Sequence, residues 1–265
     1  MKPHIACDQL GDGSPVIIVL GAFNTRATGA PLAAALAAEH TVFNYDRRGR
    51  GGSGDSAPYA VEREIEDLDG LVQRAGGRAA VLGFSSGAAL ALAAAAHGVA
   101  ITKLALFDLP LSVAPRPDAA GHAAGHAAAL DELVRAGRRG DAVEYFQRRM
   151  VGLPEPVIAQ LRTAPFRGAL EAMAHTLVYE ARVLGDGTVP MDAARRVRVP
   201  TLALAAGLAP PFMRETAEAL AREMPDARAL VLDGATHDLV PDVLAPPLLR
   251  FFAPAESAEQ GPHGM

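Results

Sequence analysis

Apolar positions along this chain follow two alternating rhythms. Short, mostly apolar runs at residues 16–20, 41–45, 79–82, 104–107, 201–205 and 228–232 are bounded by turn-forming residues and read as buried strands. Between them the spacing becomes helical. Residues 59–75 put Ile65, Leu68, Leu71 and Val72 on one face, and residues 31–39, 214–224 and 241–252 also read as helices. Strands alternating with helices need crossover connections, which build a parallel sheet covered on both faces. The alternation pauses between residues 109 and 197, where the chain reads as helical with breaks at Pro115, Gly137, Pro154, Pro165 and Gly185. The expected fold is α/β: a mostly parallel sheet with helices on both faces and a helical segment inserted after the strand ending near Asp108. Residues 1–111 and 199–253 form the expected core, 112–198 the insertion, and 254–265 a flexible tail of small and polar residues.

The run at 79–82 ends in Gly83-Phe84-Ser85-Ser86-Gly87, and an Ala-rich helical segment follows as far as His97. Strand, sharp turn, serine and helix form the layout of a nucleophile elbow. A turn that lifts a serine hydroxyl out of a sheet crowds strand against helix, and Gly83 and Gly87 leave room there. The amides opening the helix favour negative charge beside Ser85.

Composition narrows the reading further. The 265 residues are 50% hydrophobic, enough for a sizeable core. The net charge of −5 argues against a nucleic-acid footprint. A lone cysteine, Cys7, can form no internal disulfide and belongs to no metal-type spacing. The start carries no secretory pattern and the strongest apolar run, 16–20, is far too short for a membrane span, so cytoplasmic placement is expected. The partner expected is a small-molecule substrate, with no nucleic acid or membrane, and the chain acting as monomer or homodimer.

A serine needs a base within hydrogen-bond reach and a group to orient that base. Among eight histidines, His237 alone sits in a loop directly after an expected strand and before the last helix. Both that loop and Ser85 follow strand C-termini, hence one sheet edge. His175 falls in a helical stretch, 169–184, where a core or surface role is the plainer reading. His122 and His126 share a helical face, but no carboxylate pattern accompanies them and a solvated helix is expected. The stretch 46–53, Asp46-Arg47-Arg48-Gly49-Arg50-Gly51-Gly52-Ser53, lacks the spacing of a phosphate loop.

With residues 16–22, 46–53 and 83–87, Val199-Pro200-Thr201-Leu202 and Gly234-Ala235-Thr236-His237, the chain resembles the α/β-hydrolase fold superfamily over nearly its whole length. The resemblance implies Ser85 as nucleophile and His237 as general base. It implies backbone amides of Ser86 and Ala22, with Phe23 the runner-up to Ala22, as oxyanion donors. Members often carry His-Gly where this chain has Leu20-Gly21. The usual acid position, after 201–205, reads Ala206-Gly207-Leu208-Ala209-Pro210 and holds no carboxylate. Some members place the acid after the strand following the nucleophile helix, and Asp108 stands there. A buried, unpartnered Asp is costly, so that position asks for an imidazole or a helix cap. Asp233 and Asp238 lie too close to His237 in sequence to orient it easily. Within the resemblance, 46–53 is a structural turn whose Arg47, Arg48 and Arg50 pair locally, and 112–198 is a cap over the site.

The cap residues Leu130, Val134, Tyr145, Phe146, Met150, Met173, Leu177 and Tyr179 are expected mostly between its own helices, while Phe23 and Leu109 flank the catalytic loops as substrate-binding candidates. The expected activity is a serine hydrolase cleaving an ester or related acyl bond of a small, largely apolar substrate through an acyl-Ser85 intermediate, with no metal or cofactor. The same residue set also fits a lyase, cyclase or perhydrolase, and the empty acid position fits a binding protein with a decayed triad.

Overall fold

Seven strands form one sheet in the computed structural model, which describes residues 3–114 and 122–254. They are β1 (Cys7–Leu10), β2 (Ser14–Val19), β3 (His40–Tyr45), β4 (Ala79–Phe84), β5 (Ile101–Phe107), β6 (Thr201–Ala206) and β7 (Ala227–Leu232). Their spatial order is β1-β3-β2-β4-β5-β6-β7. Only β1 runs antiparallel to its neighbour; the remaining pairs are parallel. The apolar runs each became a strand. β1 was not visible in them because it is an edge strand with mostly exposed side chains, and so carries no apolar run.

Alternate residues of the central strands feed two cores. Ile17 and Val19 face one layer with α2 (Val61–Arg74) and α3 (Ser86–Ala96); Val16, Ile18 and Leu20 face the other with α1 (Arg26–Leu36) and α11 (Pro241–Phe252). This is the covered parallel sheet that the alternation predicts.

Between β5 and β6 the chain forms α4 (His122–Arg135), α5 (Arg139–Tyr145), a π-helical turn (Phe146–Val151), α6 (Glu155–Arg162) and α7 (Arg167–Ala172). A 3₁₀ turn (Ala174–Thr176), α8 (Leu177–Leu184) and α9 (Met191–Ala194) complete it. A parallel bridge, Ser112 to Thr188, closes its base. Leu130, Val143, Phe146, Leu177 and Ala181 form a third apolar cluster within it, and Ala22 and Phe23 of the sheet domain pack against that cluster. Helix α10 (Pro211–Glu223) then joins β6 to β7. Most of the tail lies outside the described residues, as do Pro115 and the side chain of His122. Among the described residues no helix is long and apolar enough to cross a membrane.

Candidate active site

Strand β4 runs into α3 through Ser85, which holds φ +56° and ψ −128°, a conformation side-chain-bearing residues rarely adopt. The turn is tight enough that a Cβ on Gly83 would lie 2.5 Å from Ala88 Cα, and one on Gly87 would lie 2.2 Å from the Val19 carbonyl oxygen. No side chain fits at either place, which is the physical content of the motif. The Ser85 amide donates to the Phe107 carbonyl at 2.9 Å, so the elbow is anchored to the neighbouring strand.

Asp108 follows β5 and is fully buried. One carboxylate oxygen accepts His237 Nδ1 at 2.8 Å and the other accepts the Ala206 amide at 2.8 Å. The turn after β6 therefore contributes a backbone donor to the acid on the adjacent strand, and both Asp108 oxygens are satisfied. His237 also lies against Phe84, with ring centroids 4.9 Å apart. Asp233 is exposed, and Asp238 accepts the Thr236 hydroxyl at 2.8 Å.

Ser85, Ser86, Ala22, Phe23 and His237 line one cavity of about 540 Å³, within the range of small-molecule sites. Its far wall comes from the insertion, through His126, Phe146, Met150 and Leu184. Phe23, at φ +60°, meets Phe146 edge-to-face with centroids 5.5 Å apart. The Ala22 amide donates to Ser86 Oγ at 3.0 Å.

Two expectations change. Leu109 does not line the cavity: Asp108 turns the chain at φ +50°, and Leu109 is buried in the core shared with α3. His126 is no solvated helix residue; it faces the cavity with Nδ1 2.9 Å from the Tyr145 hydroxyl. Arg149, Asp186 and Asp238 also line the cavity. Asp238 comes with the His237 loop, but nothing in the sequence signals His126, Arg149 or Asp186, because the insertion's approach to the sheet edge is a tertiary fact.

The arginines after β3 do more than pair locally. Arg48 meets Asp67 at 2.7 Å, but Arg47 and Arg50, each about 1% exposed, converge on Glu180 of α8. Arg47 also forms a fork with Glu64, two bonds of 2.7 Å each. Burial alone pushes the Glu64 carboxyl up, yet Arg47, with Arg50 and the Tyr59 hydroxyl, more than offsets this and holds it below the usual carboxylate range. His175 lies on the 3₁₀ turn against Gly49 of the same loop, 3.9 Å from Asp55. Cys7 lies on β1 and does not line the cavity, and burial pushes its thiol up to about 11. Among the described residues no group of three His, Cys, Asp or Glu side chains is placed to share a metal ion.

The model of the alpha/beta hydrolase family matches residues 16–246, most of the chain. The chain belongs to that family. A crystal structure of an alpha/beta hydrolase from Sphaerobacter thermophilus is 47% identical, with a TM-score of 0.86 over 95% of this chain and 97% of that one. A thermophilic esterase from Thermogutta terrifontis, solved with malate bound, is 25% identical with a TM-score of 0.69, covering 93% and 90%. An enol-lactonase from Burkholderia xenovorans is also 25% identical, with a TM-score of 0.61 over 94% and 95%. No curated protein matches. As an alpha/beta hydrolase, this chain departs from the common arrangement of its fold in taking the carboxylate next to His237 from the end of β5.

Proposed function

We propose that this alpha/beta hydrolase cleaves an ester or related acyl bond through an acyl-Ser85 intermediate. The observation that carries the reading is His237, held by buried Asp108, lining the same cavity as the strained Ser85. With Asp108 on Nδ1, Nε2 is the nitrogen left to accept a proton. Ser85 Oγ bonds to the acyl carbon as its proton passes to His237, and the carbonyl π pair moves onto oxygen. Collapse of that adduct expels the alcohol, which takes the proton from His237. Water then repeats the sequence and releases the acid. The Ser86 amide at the start of α3 donates to the oxyanion, and the Gly21–Ala22 loop completes the hole.

The insertion acts as a cap whose apolar residues exclude water from the reacting bond. The esterase and the enol-lactonase among the similar structures support the same reaction class. The test is Ser85→Ala with p-nitrophenyl butyrate and a fluorophosphonate probe. Wild type is expected to turn over the ester and to be labelled, and the variant to lose both. Equal turnover by the purified variant removes Ser85 as nucleophile.

A further inference from the structure

The loop that faces Ser85 is held on every side. Gly21 abuts the nucleophile, since a Cβ placed on it would lie 2.8 Å from Ser85 Cβ. The Leu20 carbonyl accepts from Arg47 at 3.2 Å. The Gly21 carbonyl accepts from Arg50 at 3.3 Å and from the Asn24 amide at 3.4 Å. The Ala22 carbonyl accepts from the Asn24 side chain at 2.8 Å. A trans peptide points its carbonyl and its amide in opposite directions. Anchoring the Gly21 carbonyl on buried Arg50 therefore aims the Ala22 amide, and it is aimed at Ser86 Oγ, 3.0 Å away.

Swinging that amide onto a substrate oxygen would break the Gly21 carbonyl's contact to buried Arg50, which Glu180 holds in turn. The Ser86 hydroxyl has accepted the amide but still carries a hydrogen of its own. Among the described residues that hydrogen has no acceptor, although Ser86 is only 2% exposed and lines the cavity beside Ser85. A buried hydroxyl with an unspent donor, next to a nucleophile, is placed to donate to charge that appears only during reaction.

We propose that the Ser86 hydroxyl is the second oxyanion donor and that the Ala22 amide acts through it. This rests on the acyl-transfer reading above. When Ser85 Oγ bonds to the acyl carbon, the π pair moves to the carbonyl oxygen and the proton goes to His237. The oxyanion then accepts from the Ser86 amide and the Ser86 hydroxyl, while the Ala22 amide keeps donating to Ser86 Oγ and polarises it. No proton leaves Ser86.

The experiment compares wild type, Ser86→Ala and Ser86→Cys on p-nitrophenyl butyrate, with thermal unfolding to confirm the fold. A donor used only in the transition state predicts a kcat loss of about 10²-fold in Ser86→Ala, with KM changed by less than about threefold. Cys keeps the branching, with a somewhat larger atom and only a weak S–H donor, and a comparable kcat loss is expected. A trifluoromethyl ketone, whose adduct with Ser85 carries the oxyanion, is expected to bind the variants more weakly by a similar factor. An unchanged or raised kcat in folded Ser86→Ala overturns the proposal, because the freed Ala22 amide, or that of Phe23, is then donor enough. A wild type that neither turns over the ester nor is labelled at Ser85 instead sinks the acyl-transfer reading, and this proposal with it.

Discussion

Three non-glycine residues among those described hold positive φ: Phe23, Ser85 and Asp108. All three belong to the candidate site or its immediate wall. Each such conformation costs on the order of 1–3 kcal/mol and persists only where surrounding contacts over-determine it. Those contacts are visible: the Ser85 amide on Phe107, the Asp108 carboxylate on Ala206 and His237, and Phe23 against Phe146. Asp108→Asn keeps the shape but, with its one carbonyl oxygen on the Ala206 amide, turns an NH2 donor toward His237 Nδ1 and removes the charge. We expect kcat to fall by about 10⁴-fold, as tautomer control is lost in comparable triads, with the melting temperature little changed. A loss under tenfold, measured by steady-state kinetics, would show that Ser85 and His237 work without Asp108. Asp108 was legible as a carboxylate at the end of an apolar strand. Its second partner, the Ala206 amide, was not, because a backbone donor leaves no mark in side-chain identity.

At the scale of elements, α8 is locked to the loop after β3 through Glu180, which is fully buried between Arg47 and Arg50. The sequence showed three arginines in a glycine-rich turn and pointed to local partners. Arg48 on Asp67 and Arg47 on Glu64 meet that description. Arg47 and Arg50 also reach more than a hundred residues along the chain, since α8 brings the buried carboxylate that the two share. Removing one member of a buried ionic cluster leaves charge uncompensated. Glu180→Ala is therefore expected to lower unfolding free energy by about 3–5 kcal/mol in urea titrations. The exposed Arg63–Glu66 pair is the control, since surface pairs contribute roughly 0–1 kcal/mol. If both substitutions cost the same, the cluster is not what holds α8.

For the whole molecule, protonation links distant parts of the fold. Burial holds His40, at the start of β3, and His175, on the insertion, below the ordinary value of 6.5. The unfolded chain takes up these protons near 6.5, whereas the folded protein does so only at lower pH. Their contribution is thus complete above about 6.5 and is lost as pH falls through the depressed folded values. We expect the melting temperature to drop on acidification from pH 7 to 5, and to drop less in His40→Gln. An identical pH dependence in that variant would exclude His40 as a contributor.

Periodicity and punctuation determined most of the architecture without help. Central parallel strands are buried on both faces, so they must be apolar runs, and an elbow too tight for side chains must carry glycines. The Ser85, Asp108 and His237 positions follow from that frame because strand ends of a parallel sheet share one edge. Only the tertiary structure decided how the insertion sits on that edge. It put His126 and Arg149 on the cavity wall, turned Leu109 into the core, and gave Arg47 and Arg50 their carboxylate. Those contacts join residues far apart in the chain by packing and charge pairing, and neither leaves a local period to read.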